Sequence, residues 1–164
     1  MMAKKALNSI VLDALKAHAQ EAYDRGDHLE AGIILFQTVE ALLRWAIWYL
    51  GQIEGVSTDT LNREVEPEQS FARLVLYLDL VCPSNRLSAG LRDLNSRRNR
   101  IFHRLFAEFD SVEHLRDQLR QFCRDCTNLN AALRNLVATK VIPVMKAAEG
   151  KTEADHAVGN KDEP

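Results

Sequence analysis

Six residues past the middle of the chain, Arg98-Asn99-Arg100-Ile101-Phe102-His103, bring together three side chains suited to phosphate chemistry. Histidine is the side chain whose charge changes near neutral pH, so it can move protons. An arginine guanidinium is always charged and can grip two phosphate oxygens at once. Asn99 supplies a carboxamide that can orient either the ring or a phosphate. Together they offer proton transfer and stabilisation of charge on a phosphate. On an ideal helix Arg98 and His103 lie about 140° apart. The spacing therefore predicts that they converge only at a helix end, or that a second copy of the chain supplies the missing group.

Arg98 also stands where an apolar residue is expected. Leu87, Leu91, Leu94, Ile101/Phe102, Leu105 and Phe109 form one helical row, with Arg98 at its centre. An unpaired buried charge costs several kcal/mol. Two escapes are open: snorkelling to the bundle edge, or a carboxylate partner. Glu40 is the complementary oddity, centred in the seam Leu29, Ile33, Phe36, Leu43, Ile47, Leu50, so a Glu40–Arg98 pair inside the fold is the expected solution. The opposite face of the Arg98 helix carries Arg92, Ser96, Asn99 and His103 at steps of four, three and four, one polar stripe in which Asn99 and His103 are neighbours. Residues 86–104 hold six arginines and one acid, a net of +5, which leaves −7 for the rest of the chain. Arg92, Arg97, Arg100 and Arg104 make a basic surface suited to a phosphate-bearing partner, or simply a solvated arginine face. The overall charge of −2 excludes binding of nucleic acid by bulk charge.

The elements that must position these groups read as helices. Gly and Pro number only 7 and 4 in 164 residues, and β-branched runs are scarce, which argues against a sandwich or barrel. The first helix covers roughly 3–24, with Leu7, Val11, Ala14 and His18 on one face and Ile10 and Leu15 beside it. Arg25-Gly26-Asp27 breaks it. The second covers 27–53, and a polar stretch follows over 51–67. The third covers 67–81, with Pro67 in its first turn and a stripe of Phe71, Leu74, Leu78 and Val81. The fourth runs from 84 or 85 to 109. The fifth starts on an Asp110/Glu113 capping box, and its seam is Val112, Leu115, Leu119, Phe122, Cys126, Leu129, Leu133, Leu136, with Pro143 bending or ending it. The expected fold is all-α: an antiparallel bundle of about five helices in one domain over 1–146, followed by a polar, disordered tail over 147–164.

The R-N-x-x-x-H motif from Arg98 to His103, on a basic helix whose Arg interrupts an apolar seam, resembles the HEPN superfamily (higher eukaryotes and prokaryotes nucleotide-binding). The resemblance extends over about 27–140. It implies a metal-independent endoribonuclease without cofactor, a toxin or antiviral effector, leaving a 2′,3′-cyclic phosphate and a 5′-hydroxyl. It also implies a homodimer with two motifs facing one RNA cleft, and a nucleotidyltransferase-like antitoxin as partner. Position by position, Arg98, Asn99 and His103 match the motif, and Glu40 matches the supporting acid. The alternatives are a non-catalytic module of the same fold that binds a nucleotide or such a partner, and a plain helical interaction protein.

Other features carry less. Three cysteines is an odd number, which fits a reducing cytoplasm rather than a closed disulfide framework. Cys123 and Cys126 have C-x-x-C spacing but too few nearby ligands for zinc, and they read as core residues. Trp45, Trp48 and Tyr49 widen the apolar surface of the second helix, for core packing or for a partner. Gly32 allows a close helix approach. His18, His28 and His114 read as surface or packing residues. The longest apolar run, around 41–50, is interrupted by Arg44, so no membrane span and no signal peptide are expected.

Overall fold

A computed structural model of the chain describes residues 9–83, 86–103 and 111–144. Arg104, the Asp110 cap, the start and tail segments and the far end of the Arg98 helix lie outside the described residues. The described chain is all-helical: α1 (Ser9–Asp24), α2 (His28–Ile53), α3 (Thr58–Glu64), α4 (Phe71–Val81), α5 (Ser88–His103) and α6 (Val112–Lys140). The helices form a bundle in which α2 packs against α1, α3, α4 and α6, while α5 packs against α4 and α6. The expected all-helical class holds, with six helices among the described residues where about five were expected.

Short polar signals set the helix ends. Gly26 takes a left-handed φ of 85° and closes α1, with Asp27 N–H donating to the Ala22 carbonyl and Gly26 N–H to that of Tyr23. Gly55 closes α2 in the same way on Gly51 and Gln52. Asp27 caps α2 by accepting from Glu30 N–H, and Ser57 caps α3 by accepting from Thr60 N–H. α3 has one buried apolar residue, Leu61, whose side chain fills the space that a Cβ at Gly51 would occupy. So short an element leaves no readable period, which is why the polar stretch conceals it.

Two expected helix starts move. α4 begins at Phe71 under a Ser70 cap, not at Pro67, because the carbonyls of 65–69 are held by Arg44 instead of entering a helix. α6 begins under Ser111, whose hydroxyl accepts from His114 N–H, one residue later than an Asp110 box. α6 ends at Lys140, before Pro143.

The buried faces also rotate. On α1 the buried residues are Leu12, Ala19 and Ala22, whereas Val11 is 52% exposed and His18 bonds to Glu30 at 3.2 Å on the outside. The two small alanines let α1 lie close to α2. On α2, Leu29 and Ile33 are exposed, and Leu35, Val39, Leu42 and Ala46 join Leu43, Ile47 and Leu50 in the core. Neighbours on several sides widen the buried arc, and Glu40 sits at its margin rather than its centre. This breadth gives α2 the length and apolarity of a membrane span, with a mean hydropathy of 1.3 over its best window, although half of that window is buried inside the bundle. On α6, Val112 is exposed, and Leu119, Phe122, Cys123, Cys126, Leu133 and Val137 face inward.

Polar ties cross the core. Asn130, 2% exposed, donates to Thr38 Oγ1 at 3.1 Å and accepts from Arg134 Nε at 3.1 Å. Buried His28 stands between the Gly26 carbonyl (2.7 Å) and Arg120 Nε (2.9 Å), so its Nδ1 donates and its Nε2 accepts. Trp45, Trp48 and Tyr49 pack edge to face, and Trp48 donates to Asn62 Oδ1 at 3.2 Å, so α3 covers part of this cluster.

Gly32 lies under Phe122, whose Cδ1 would meet an added Cβ at 3.1 Å. Phe122 is fully buried and wedged between Phe36 and Phe102, so it has little room to yield. Gly32→Val is expected to lower the unfolding free energy by about 2 kcal/mol, measured by urea denaturation. Glu64 is 5% exposed and ties α3 to α4. A hydrogen bond from Tyr77, with Arg63 and Arg73 beside it, holds its carboxyl below the ordinary value against the opposing effect of burial. A lowered folded-state pKa means stability that is complete above the unfolded value of about 4.3 and lost as pH falls through the folded value. Glu64→Gln should therefore flatten the acid limb of the stability curve below roughly pH 4, read as denaturation midpoint against pH.

Candidate functional site

The core-facing residues of α5 are Leu91, Leu94 and Ile101, which fix the helix against α4 and α6. Arg98 falls in the same row and cannot follow its neighbours inward without losing its solvation. It is half-buried, and its guanidinium lies over the Phe36 ring, 5.5 Å from the centroid. This is the snorkelling solution, assisted by the negative face of the ring.

The expected Glu40–Arg98 pair does not form. Glu40 Oε1 accepts instead from Arg44 Nη2 at 2.5 Å, one turn along its own helix. Arg44 is 16% exposed and has further acceptors. It donates to the carbonyls of Val65 (3.1 Å), Glu66, Pro67 (3.4 Å) and Gln69 (3.0 Å). Glu40 sits closer to Arg44 than to Arg98 because both are on α2, four residues apart, where side chains meet without tertiary adjustment.

Arg98, Asn99 and His103 do come together. Arg98 Nη1 donates to Asn99 Oδ1 at 3.0 Å and approaches His103 Nε2 at 3.4 Å. A guanidinium has donors only, so a hydrogen bond in this contact runs from Arg98 to the ring nitrogen. The long, flexible arginine spans the 140° that separates the two backbone positions. Convergence therefore occurs within one chain, and the second copy that the helical wheel called for is not needed to bring these groups together. Asn99 and His103 meet through the arginine rather than directly.

Beside this trio lies a cleft of about 400 Å³. Phe36 and Glu40 of α2 form one wall. Gln69 and Ser70, with Phe71 and Ala72 in the first turn of α4, form the second. Asn95, Arg98 and Asn99 of α5 form the third. His103 is exposed and is reached from the cleft through Arg98. Asn95 is a site residue that the motif does not contain. Its sequence signal is its position, three before Arg98 and four before Asn99, which puts it on the same helical surface. A smaller cleft of about 210 Å³, between α2, α3 and α4, is lined mainly by apolar side chains; of its two carboxylates, Glu54 and Glu64, the second is engaged by Arg63 and Arg73.

The basic surface of α5 is partly neutralised from within. Arg92 pairs with Asp79 of α4, which also accepts from Ser88. Arg97 pairs with Asp125 of α6 at 3.2 Å and contacts Gln118. Arg100 is exposed in the last turn. Only folding brings Asp79 and Asp125 to the arginines, so sequence charge counts overstate the positive field.

Among the described residues no three His, Cys, Asp or Glu side chains gather as a metal site. Cys123 and Cys126 are buried, and burial raises the Cys123 thiol to about 11 and the Cys126 thiol higher still. Thiols so resistant to ionisation are poor nucleophiles and poor ligands. Comparison with family models, curated proteins and solved structures finds no match.

Arg44 holds one wall of the cleft by its contacts to 65–69. Arg44→Ala should cost about 2 kcal/mol, and amide hydrogen exchange should speed up at 65–70 before the rest of α2 and α4 responds.

Proposed function

We propose that the protein is a metal-independent endoribonuclease of the HEPN type, acting on RNA with Arg98, His103 and Asn99. The observation that carries this reading is the contact of Arg98 Nη1 with His103 Nε2 at 3.4 Å, beside an open cleft. With RNA bound, Arg98 turns from His103 to the phosphate and leaves the Nε2 lone pair open to a proton. In the proposed step His103 Nε2 takes the proton of a ribose 2′-hydroxyl. The 2′-oxygen forms a bond to phosphorus, and the bond from phosphorus to the 5′-oxygen breaks. Arg98 binds the non-bridging oxygens, whose charge grows in the phosphorane. Asn99 fixes the direction of the Arg98 fork, the role expected of Glu40, which pairs with Arg44 instead. The departing 5′-oxygen takes a proton on the opposite side of phosphorus. A homodimer supplies a donor there through the partner's His103. The products are a 2′,3′-cyclic phosphate and a 5′-hydroxyl. In this reading the chain is a toxin or antiviral effector of the cytoplasm, held silent by a nucleotidyltransferase-like partner.

A second reading is favoured by the internal pairing of Arg92 and Arg97. With that charge counterbalanced, the same fold serves as a module that binds one nucleotide, or the partner protein, without cleaving.

Cleavage of mixed RNA in EDTA distinguishes the two. Folded His103→Ala should lose about 10²–10⁴-fold in rate. Arg98→Ala should lose at least as much while remaining folded, because Glu40 keeps Arg44 as its partner. The nuclease reading fails if folded His103→Ala cleaves like the parent, or if the parent cleaves no RNA.

A further inference from the structure

We infer that the cleft beside Arg98 is a nucleobase pocket selective for guanine, gripped at its N1–H and 2-amino edge by the Glu40 carboxylate. The inference deepens the nuclease reading and rests on it for the placement of the phosphate at Arg98. The pocket itself is testable without cleavage.

At about 400 Å³ the cleft falls within the range of roughly 300–1,000 Å³ of small-molecule sites. Phe36 and Phe71 lie at its base, with ring centroids 4.9 Å apart and only 7% and 8% exposed. They give the cleft an apolar floor, although the Arg98 guanidinium lies over the Phe36 ring and leaves no open face there for stacking. The polar atoms around that floor are unevenly used. Glu40 Oε1 is held by Arg44 through one of its two lone pairs, and its Oε2 accepts no hydrogen bond from the described residues, so acceptors remain for two donors. Arg44 cannot turn away, because four backbone carbonyls also hold it. Asn95 lines the cleft and makes no side-chain hydrogen bond with the described residues.

A carboxylate offers acceptors only. Guanine alone among the four bases presents two adjacent N–H donors on its pairing edge. Adenine and cytosine set their amino group beside an acceptor nitrogen, and uracil sets its single N–H between two carbonyls. Each of these three would place lone pairs against the carboxylate. The O6 of guanine needs a donor, which the Asn95 carboxamide has. A base recognised on its pairing edge must be unpaired, so the substrate class is single-stranded RNA containing guanosine. With the base in the cleft and its 3′-phosphate at Arg98, cleavage falls on the 3′ side of guanosine.

The test titrates 3′-GMP, 3′-AMP, 3′-CMP and 3′-UMP into the full chain by calorimetry. 3′-GMP should bind at least about tenfold more tightly than the others, the scale of hydrogen bonds to a charged group. Glu40→Gln should lose about tenfold of that preference. Ala72→Leu, an exposed helical position on the cleft wall, should weaken 3′-GMP by filling space without removing a polar group. Equal affinity for all four nucleotides overturns the inference, as does an unchanged preference in folded Glu40→Gln. If that variant does not fold, an unchanged 3′-GMP affinity in Ala72→Leu overturns it. Guanine-selective binding without RNA cleavage removes the nuclease reading and keeps the pocket. Cleavage with product ends spread over all four bases removes the pocket and keeps the nuclease.

Discussion

The Arg44 guanidinium meets five oxygens: the Glu40 carboxylate and the carbonyls of Val65, Glu66, Pro67 and Gln69. A cation so far removed from water is tolerated only where acceptors surround it. Here the acceptors come from a loop that would otherwise have no regular partners. The same contacts stop 65–69 from joining α4, which sets the start of that helix at Phe71. They also direct Glu40 away from Arg98. One wall of the cleft, one helix boundary and the character of the site thus depend on one side chain in the middle of α2.

Arg98 meets the opposite situation with a different solution. Among the described residues no carboxylate pairs with it, and it keeps part of its solvation by lying over Phe36 at the bundle edge. That position brings Nη1 to both Asn99 and His103. A buried ion pair with Glu40 would have locked the fork away from any ligand. The cation–π contact leaves donors on the guanidinium free to turn toward a phosphate. The interruption of an apolar seam by a charge is therefore a matter of access as well as of stability.

The surface charge of α5 shows how folding rewrites a linear tally. Arg92 and Arg97 take part in the packing of α5 against α4 and α6 through Asp79 and Asp125. Positive charge distributed along a helix becomes partly internal once acidic residues from distant segments arrive. The charge left for a ligand lies nearer the Arg98 end.

The helical class, the span of α2, the apolar rows of α5 and α6 and the Arg98–His103 motif were all determined by local pattern. Periodicity, caps and glycine stops act over a few residues, so they are legible in one dimension. Tertiary structure decided the rest. It turned α1 so that Leu12, Ala19 and Ala22 are buried in place of the expected Val11 and Ala14, because the small alanines allow close packing. It revealed α3, whose single buried leucine has no meaning until Gly51 makes room for it. It moved the start of α4 from Pro67 to a Ser70 cap, and it placed Ser111 rather than Asp110 as the cap of α6. Above all, it chose the partners of the charged residues. Glu40 and Arg98 each interrupt an apolar row in the sequence, yet which oxygen faces which nitrogen depends on angles and distances that no spacing encodes.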